Sequence, residues 1–95
     1  MSALAYSEGM VKLRAFQLAA NEDGFVEANG VQDGSTLWLR NKLPDVRTNF
    51  HKRLCLDSLT NSATIYWQTV GGQCDSKTFR TVDSFQEWLG SHPHN

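Results

Sequence analysis

HKRLCLDSLTNSATIYWQTVGGQCDSKTFRTVDSFQEWL, residues 51–89, is the stretch from which the fold is read. From His51 to Asp57, Leu54 and Leu56 alternate with Arg53, Cys55 and Asp57. From Ser62 to Val70, Ala63, Ile65 and Trp67 alternate with Thr64, Tyr66 and Gln68. A period of two sends successive side chains to opposite faces, so both runs read as strands with one apolar side. A four-residue connection, Ser58-Leu59-Thr60-Asn61, with Asn61 suited to left-handed backbone, pairs Leu56 with Ala63, Leu54 with Ile65, Arg53 with Tyr66 and His51 with Gln68. Each strand's apolar set then agrees with the other's.

The second hairpin turns at Gly71-Gly72 onto a strand at Ser76 to Arg80. A tight two-residue loop sets Phe79 across from Thr64. A three-residue loop, Gly71-Gly72-Gln73, or a bulge sets it across from Ile65, and a one-residue slip flips the whole strand. The odd-length connection is preferred because it buries Phe79 with Trp67 and leaves Arg80 outside. Beyond it, Asp83 reads as a helix N-cap with Gln86 at the capping-box position, and Phe85, Trp88 and Leu89 share one helical face. Gly90 and Pro93 mark the end of that helix, and residues 91–95 are expected to fray.

Upstream, Thr36 to Arg40 (TLWLR) reads as a further strand with Leu37 and Leu39 on one side and Trp38 and Arg40 on the other. Asn41 to Asn49 is a loop containing Pro44. Glu8 to Ala20 is rich in helix formers, though its apolar residues fall all round the wheel and Val11, Leu13 and Ala15 also fit a strand; helix is preferred, ended by Asn21 to Gly24. Asn29-Gly30 is placed to close a short hairpin between Phe25–Ala28 and Val31-Gln32. The expected fold is α+β: a three- or four-stranded antiparallel meander, a C-terminal helix packed on its Leu54, Ile65 and Trp67 face, and an N-terminal helical segment over part of the other.

At 95 residues, 40% hydrophobic and 11% aromatic, the chain is one small domain spanning 1–95 with a modest core. The first residues, MSALAYSEGM, have neither a basic start nor a sustained apolar run, so a cytoplasmic protein is expected, with no membrane partner and with Cys55 and Cys74 reduced. The net charge of −1 divides into −3 over residues 1–35, +4 over 36–81 and −2 beyond. A basic centre between acidic flanks attracts anions, and it equally allows the segments to pair with one another.

Strand parity gathers Trp38, Arg40, His51, Arg53, Cys55, Tyr66, Thr78 and Arg80 on the face away from the C-terminal helix. Aromatic rings with arginines on a bare sheet suit single-stranded nucleic acid, whose bases stack and whose phosphates pair. Trp38, Arg40, Arg53, Tyr66 and Arg80 are the candidate binding residues. The plainer expectation, favoured for so short a chain, is that Val11, Leu13, Phe16 and Leu18 cover this face as a second core layer.

Catalytic signals are weak. Cys55 and His51 lie four strand residues apart, roughly 13 Å at about 3.3 Å per residue, whereas a base must come within roughly 3 Å of its nucleophile. His92-Pro93-His94 alone does not make a metal site, and Gly71-Gly72 lacks the lysine and following helix of a phosphate loop. The element order helix, three strands, helix matches double-stranded RNA-binding domains, but Asp83 and Glu87 stand where those carry lysines. The leading expectation is a non-catalytic module that binds a protein partner or itself, with no cofactor or metal. Nucleic-acid binding on the sheet face is second, and a thiol-dependent enzyme third.

Overall fold

The computed structural model describes residues 3–28 and 35–91. Its elements are α1 (Ala3–Glu22), β1 (Phe25–Glu27), β2 (Thr36–Asn41), β3 (Arg53–Asp57), β4 (Ser62–Gln68), β5 (Cys74–Phe79) and α2 (Val82–Ser91). Among the described residues the strands form one sheet in the order β1-β2-β3-β4-β5, antiparallel throughout. The expected meander flanked by helices is therefore the fold, with five strands rather than three or four.

The β3–β4 hairpin has the register derived from its alternation: Leu56 opposite Ala63, Leu54 opposite Ile65, Arg53 opposite Tyr66. Asn61 takes the left-handed conformation, φ 62° being Asn49's value and 52° its own. Asparagine tolerates that region because its short amide can bond locally. His51 does not extend the strand as expected; it precedes β3, and its Nδ1 donates to the Asn41 carbonyl at 2.7 Å.

The β4–β5 hairpin keeps the odd parity but begins one residue earlier than expected. Thr69 N donates to Gln73 O at 2.7 Å around the loop Val70-Gly71-Gly72, and Gly72 has φ 88°. Such a loop needs left-handed backbone at its third position. Starting at Val70 puts a glycine there, whereas starting at Gly71 would put Gln73 there. Phe79 consequently faces inward opposite Ala63 rather than Ile65.

Phe25–Glu27 pairs with Leu39–Asn41 and is the outermost strand among the described residues. The hairpin partner expected at Val31-Gln32 lies outside the described residues. Gly24, at φ 95°, lets the chain leave α1 and enter β1. Buried Asn41 fastens that corner, its Nδ2 donating to Asp23 O at 3.1 Å and its Oδ1 accepting from Leu43 N at 2.9 Å.

The two helices lie on the same side of the sheet, which corrects the expectation that the N-terminal segment would cover the Trp38 face. Phe16 of α1 and Phe85 of α2 are both fully buried and meet edge-on, ring centroids 5.6 Å apart, and Phe85 also meets Phe79 at 5.5 Å. Leu54, Leu56, Ala63 and Ile65 line the sheet side of this core, with Phe25 and Leu39 toward β1. Among the described side chains of α1, residues 11–22, Leu13, Phe16, Ala19 and Ala20 form the stripe that packs on the core, while Val11 and Leu18 are exposed. The all-round apolar pattern thus overstates how much of the helix is buried.

The α2 cap also differs from expectation. Thr81, not Asp83, is the N-cap: its Oγ1 accepts from Ser84 N at 3.3 Å and shares a 2.7 Å hydroxyl contact with Ser84 Oγ. Asp83 sits in the first turn, where its charge complements the positive end of the helix dipole. Phe85 and Leu89 are buried and Trp88 stacks obliquely on Trp67 at 5.1 Å, as the helical spacing predicts. The helix continues through Gly90 to Ser91; the rest of the expected frayed tail lies outside the described residues.

One charged cluster supports the loop between β2 and β3. The Asp45 carboxylate accepts from the Arg47 backbone at 2.8 Å and from its guanidinium at 2.9 and 3.2 Å. That hydrogen-bonded guanidinium, with the Arg47 amide, holds the Asp45 carboxyl at about 2, although burial works against it. Lys52 is buried with Nζ 3.9 Å from Asp45 Oδ2 and no hydrogen-bond partner among the described residues. Burial lowers its pKa, an effect that Asp45 and Asp23 oppose.

Candidate functional site

The sheet face away from the helices is ordered in rows by the register. One row runs Val26, Arg40, Arg53, Tyr66, Ser76 from β1 to β5; the next runs Trp38, Cys55, Thr64, Thr78 from β2 to β5. Trp38 and Tyr66 lie in different rows on β2 and β4, and they lean toward each other across β3 with centroids 5.6 Å apart and planes at 31°. Their flanks remain in solvent, Tyr66 being 40% exposed. Thr64 and Thr78 join hydroxyls at 2.8 Å, so the floor toward β5 is polar.

Arg40 and Arg53 face each other on neighbouring strands. Like charges directly opposite destabilise a sheet by a few tenths to about 1 kcal/mol, and among the described residues neither arginine forms a salt bridge. The pair leaves an unneutralised positive site beside the two aromatic rings.

The loop after β2 adds a rim. The Asp45–Arg47 turn folds it back, with Asn49 N donating to Asp45 O at 2.7 Å and Asp45 N to Phe50 O at 2.9 Å. Asn49 turns through φ 62°, leaving Phe50 54% exposed at the edge of the face, with His51 next to it. Trp38, Arg40, Arg53 and Tyr66 from the sheet, with Phe50 and His51 from the rim, line a concavity of about 490 Å³ that reaches Gln68 and Cys74. A volume of this order lies within the roughly 300–1,000 Å³ range of small-ligand pockets.

Four of the five residues singled out in the sequence therefore come together. Arg80 does not: β5 ends at Phe79, and Arg80 lines a separate groove with Lys77, Glu87 and Trp88 beside α2. Phe50 was missed because it sits in an irregular loop with no periodicity. The signal available was the short Asx-type turn started by Asp45, a residue type that bends a chain back on itself.

Cys55 and Cys74 are not joined by a disulfide. Cys74 lies opposite Gln68 at the end of the concavity, and Cys55 lies beneath the ring pair in the Trp38 row. Among the described residues no three His, Cys, Asp or Glu side chains gather as a metal site, and no helix is long and apolar enough to cross a membrane. Chemically, the site offers ring faces for stacking, two guanidinium groups for an anion, and amides at its margin.

Comparison with known proteins returns no match: no family model fits the chain, and no curated protein and no solved structure matches it.

Proposed function

We propose that the protein is a non-catalytic binding module whose bare sheet face takes single-stranded nucleic acid, with bases against Trp38 and Tyr66 and phosphates against Arg40 and Arg53. The observation that carries this reading is the placement of both helices on the opposite side, which leaves an aromatic pair and two opposed arginines uncovered. An anion between Arg40 and Arg53 relieves their repulsion. A single strand fits better than a duplex because only unpaired bases offer their faces to side-chain rings.

The test is titration of the full chain with oligothymidylate and with oligouridylate at low salt, followed by tryptophan emission. Trp38 stands on the open face against Tyr66 and is the ring placed to be quenched most; Trp67, which also borders the concavity, stacks on Trp88 on the helix side. The expected result is quenching that salt reverses and that Trp38→Phe largely removes. Trp38→Ala should weaken binding about 5- to 100-fold, the equivalent of losing roughly 1–3 kcal/mol of base stacking. Emission unchanged at low salt with both oligonucleotides refutes the reading. A protein-binding role has its own support in a different surface, the exposed edge of β5.

A further inference from the structure

Among the described residues the sheet ends at β1 on one side and β5 on the other. β1 has three residues, whereas β5 has six, and Cys74 to Thr78 are all exposed. Hydrogen-bonding direction along β5 follows from its hairpin. Thr69 N bonds to Gln73 O, and in an antiparallel pair bonded and non-bonded positions alternate, so Asp75, Lys77 and Phe79 bond inward to β4. Cys74, Ser76 and Thr78 therefore turn their amides and carbonyls outward. Ser76 N agrees with this, for it donates to its neighbour's Asp75 Oδ1 at 2.8 Å.

We propose that two copies of the chain join edge to edge through β5, around a two-fold axis at Ser76, into one continuous antiparallel sheet. In that register Ser76 bonds with Ser76 of the second copy, and Cys74 with its Thr78, using only the outward-facing groups. Asp75 falls opposite the second copy's Lys77, twice, in the non-hydrogen-bonded positions where side chains approach most closely. Ser76 N exchanges the Asp75 carboxylate for a carbonyl, and the released carboxylate meets the lysine.

The charges also select the register. Sliding by two residues one way sets Asp75 on Asp75, and the other way sets Lys77 on Lys77, both repulsive. A lysine in an edge strand ordinarily discourages pairing, but here the residue facing it is the second copy's Asp75. The strand contains no proline, and its backbone glycine, Gly72, lies outside it in the turn. The axis is perpendicular to the sheet, so both Trp38–Tyr66 faces lie on one side. The dimer does not depend on what those faces bind.

Sedimentation equilibrium of the full chain over a wide concentration range tests this. The wild type should show a monomer–dimer equilibrium. Asp75→Lys and Lys77→Asp alone should each weaken it by more than about tenfold, since two attractive pairs become repulsive, while the double exchange D75K/K77D restores it. Circular dichroism checks that each variant is folded. As an independent readout, Ser76→Cys should cross-link two chains through the axis, where opposed Cα atoms stand about 5.5 Å apart, within disulfide reach. Wild-type Cys74 should not, because its counterpart is displaced by four residues, roughly 13 Å. A monomer at every concentration, a dimer indifferent to both single charge changes, or a Ser76→Cys protein that stays uncross-linked under oxidation overturns the proposal.

Discussion

Removing one aromatic ring from each side of the sheet should give very unequal losses of stability. Phe85 is fully buried and touches Phe16 at 5.6 Å and Phe79 at 5.5 Å, so it joins α2 to both α1 and β5. Phe85→Ala should cost about 3–5 kcal/mol, from lost transfer energy and the cavity left behind. A domain of this length holds roughly 5–14 kcal/mol in all, so the variant is left marginal, and the milder Phe85→Leu supplies a measurable loss of about 1–1.5 kcal/mol. Tyr66 is already 40% exposed and has one ring neighbour, Trp38, so Tyr66→Ala should cost only about 0.5–1.5 kcal/mol, most of it the ring pair. Urea unfolding followed by far-ultraviolet circular dichroism measures all three, with unchanged slopes licensing comparison of midpoints. If Tyr66→Ala loses as much as Phe85→Ala, the Trp38 face is a second core, and the single-sided fold and the binding surface are both wrong.

Two further outcomes follow from local features. Asn61 is left-handed in the β3–β4 turn, so Asn61→Gly should be close to neutral while Asn61→Ala costs about 1 kcal/mol, read as a difference in melting temperature of several degrees. Asp45 has a folded pKa of about 2 against an ordinary 3.8, a depressed carboxyl, so its contribution to stability is complete above about pH 4 and is lost as the pH falls toward 2. Arg47 and Lys52 are the charges that face it, and the stability gap between wild type and Asp45→Asn should close across that window in urea midpoints taken from pH 5 to pH 2. A gap independent of pH there removes the assignment.

Alternation was enough to read the register of the β3–β4 hairpin, because only one pairing placed Leu54, Leu56, Ala63 and Ile65 together. It also gave the members of the site that lie on strands, since Trp38, Arg40, Arg53 and Tyr66 share a parity. Contributions from irregular chain were hidden: Phe50 is placed by hydrogen bonds around Asp45 and His51 by its own bond to the Asn41 carbonyl, not by period. The exact turn was concealed for a related reason: the glycine pair marks where the chain reverses, but the loop's start at Val70 follows only from the left-handed residue, Gly72, coming third. Thr81 was passed over as a cap because Asp83 is an equally good capping residue two positions later, and only the direction of the incoming strand decides between them.

The location of α1 was the one large-scale feature misjudged, and the residues themselves explain why. Counting rings made the Trp38 face look like a core surface in want of cover. Counting charges leads elsewhere, because a helix laid over it would strip water from Arg40 and Arg53 while offering no carboxylate: Leu13, Phe16, Ala19 and Ala20 form the apolar stripe of α1. Burying unpaired charge costs several kcal/mol per ion, more than the rings would return. On the other side α1 meets Phe85, Ile65 and Leu54 with no such penalty, so the stripe goes there. The opposed arginines thus act first on the fold, by keeping one face of the sheet in water, and the same uncompensated charge is what the proposed nucleic-acid phosphates would meet there.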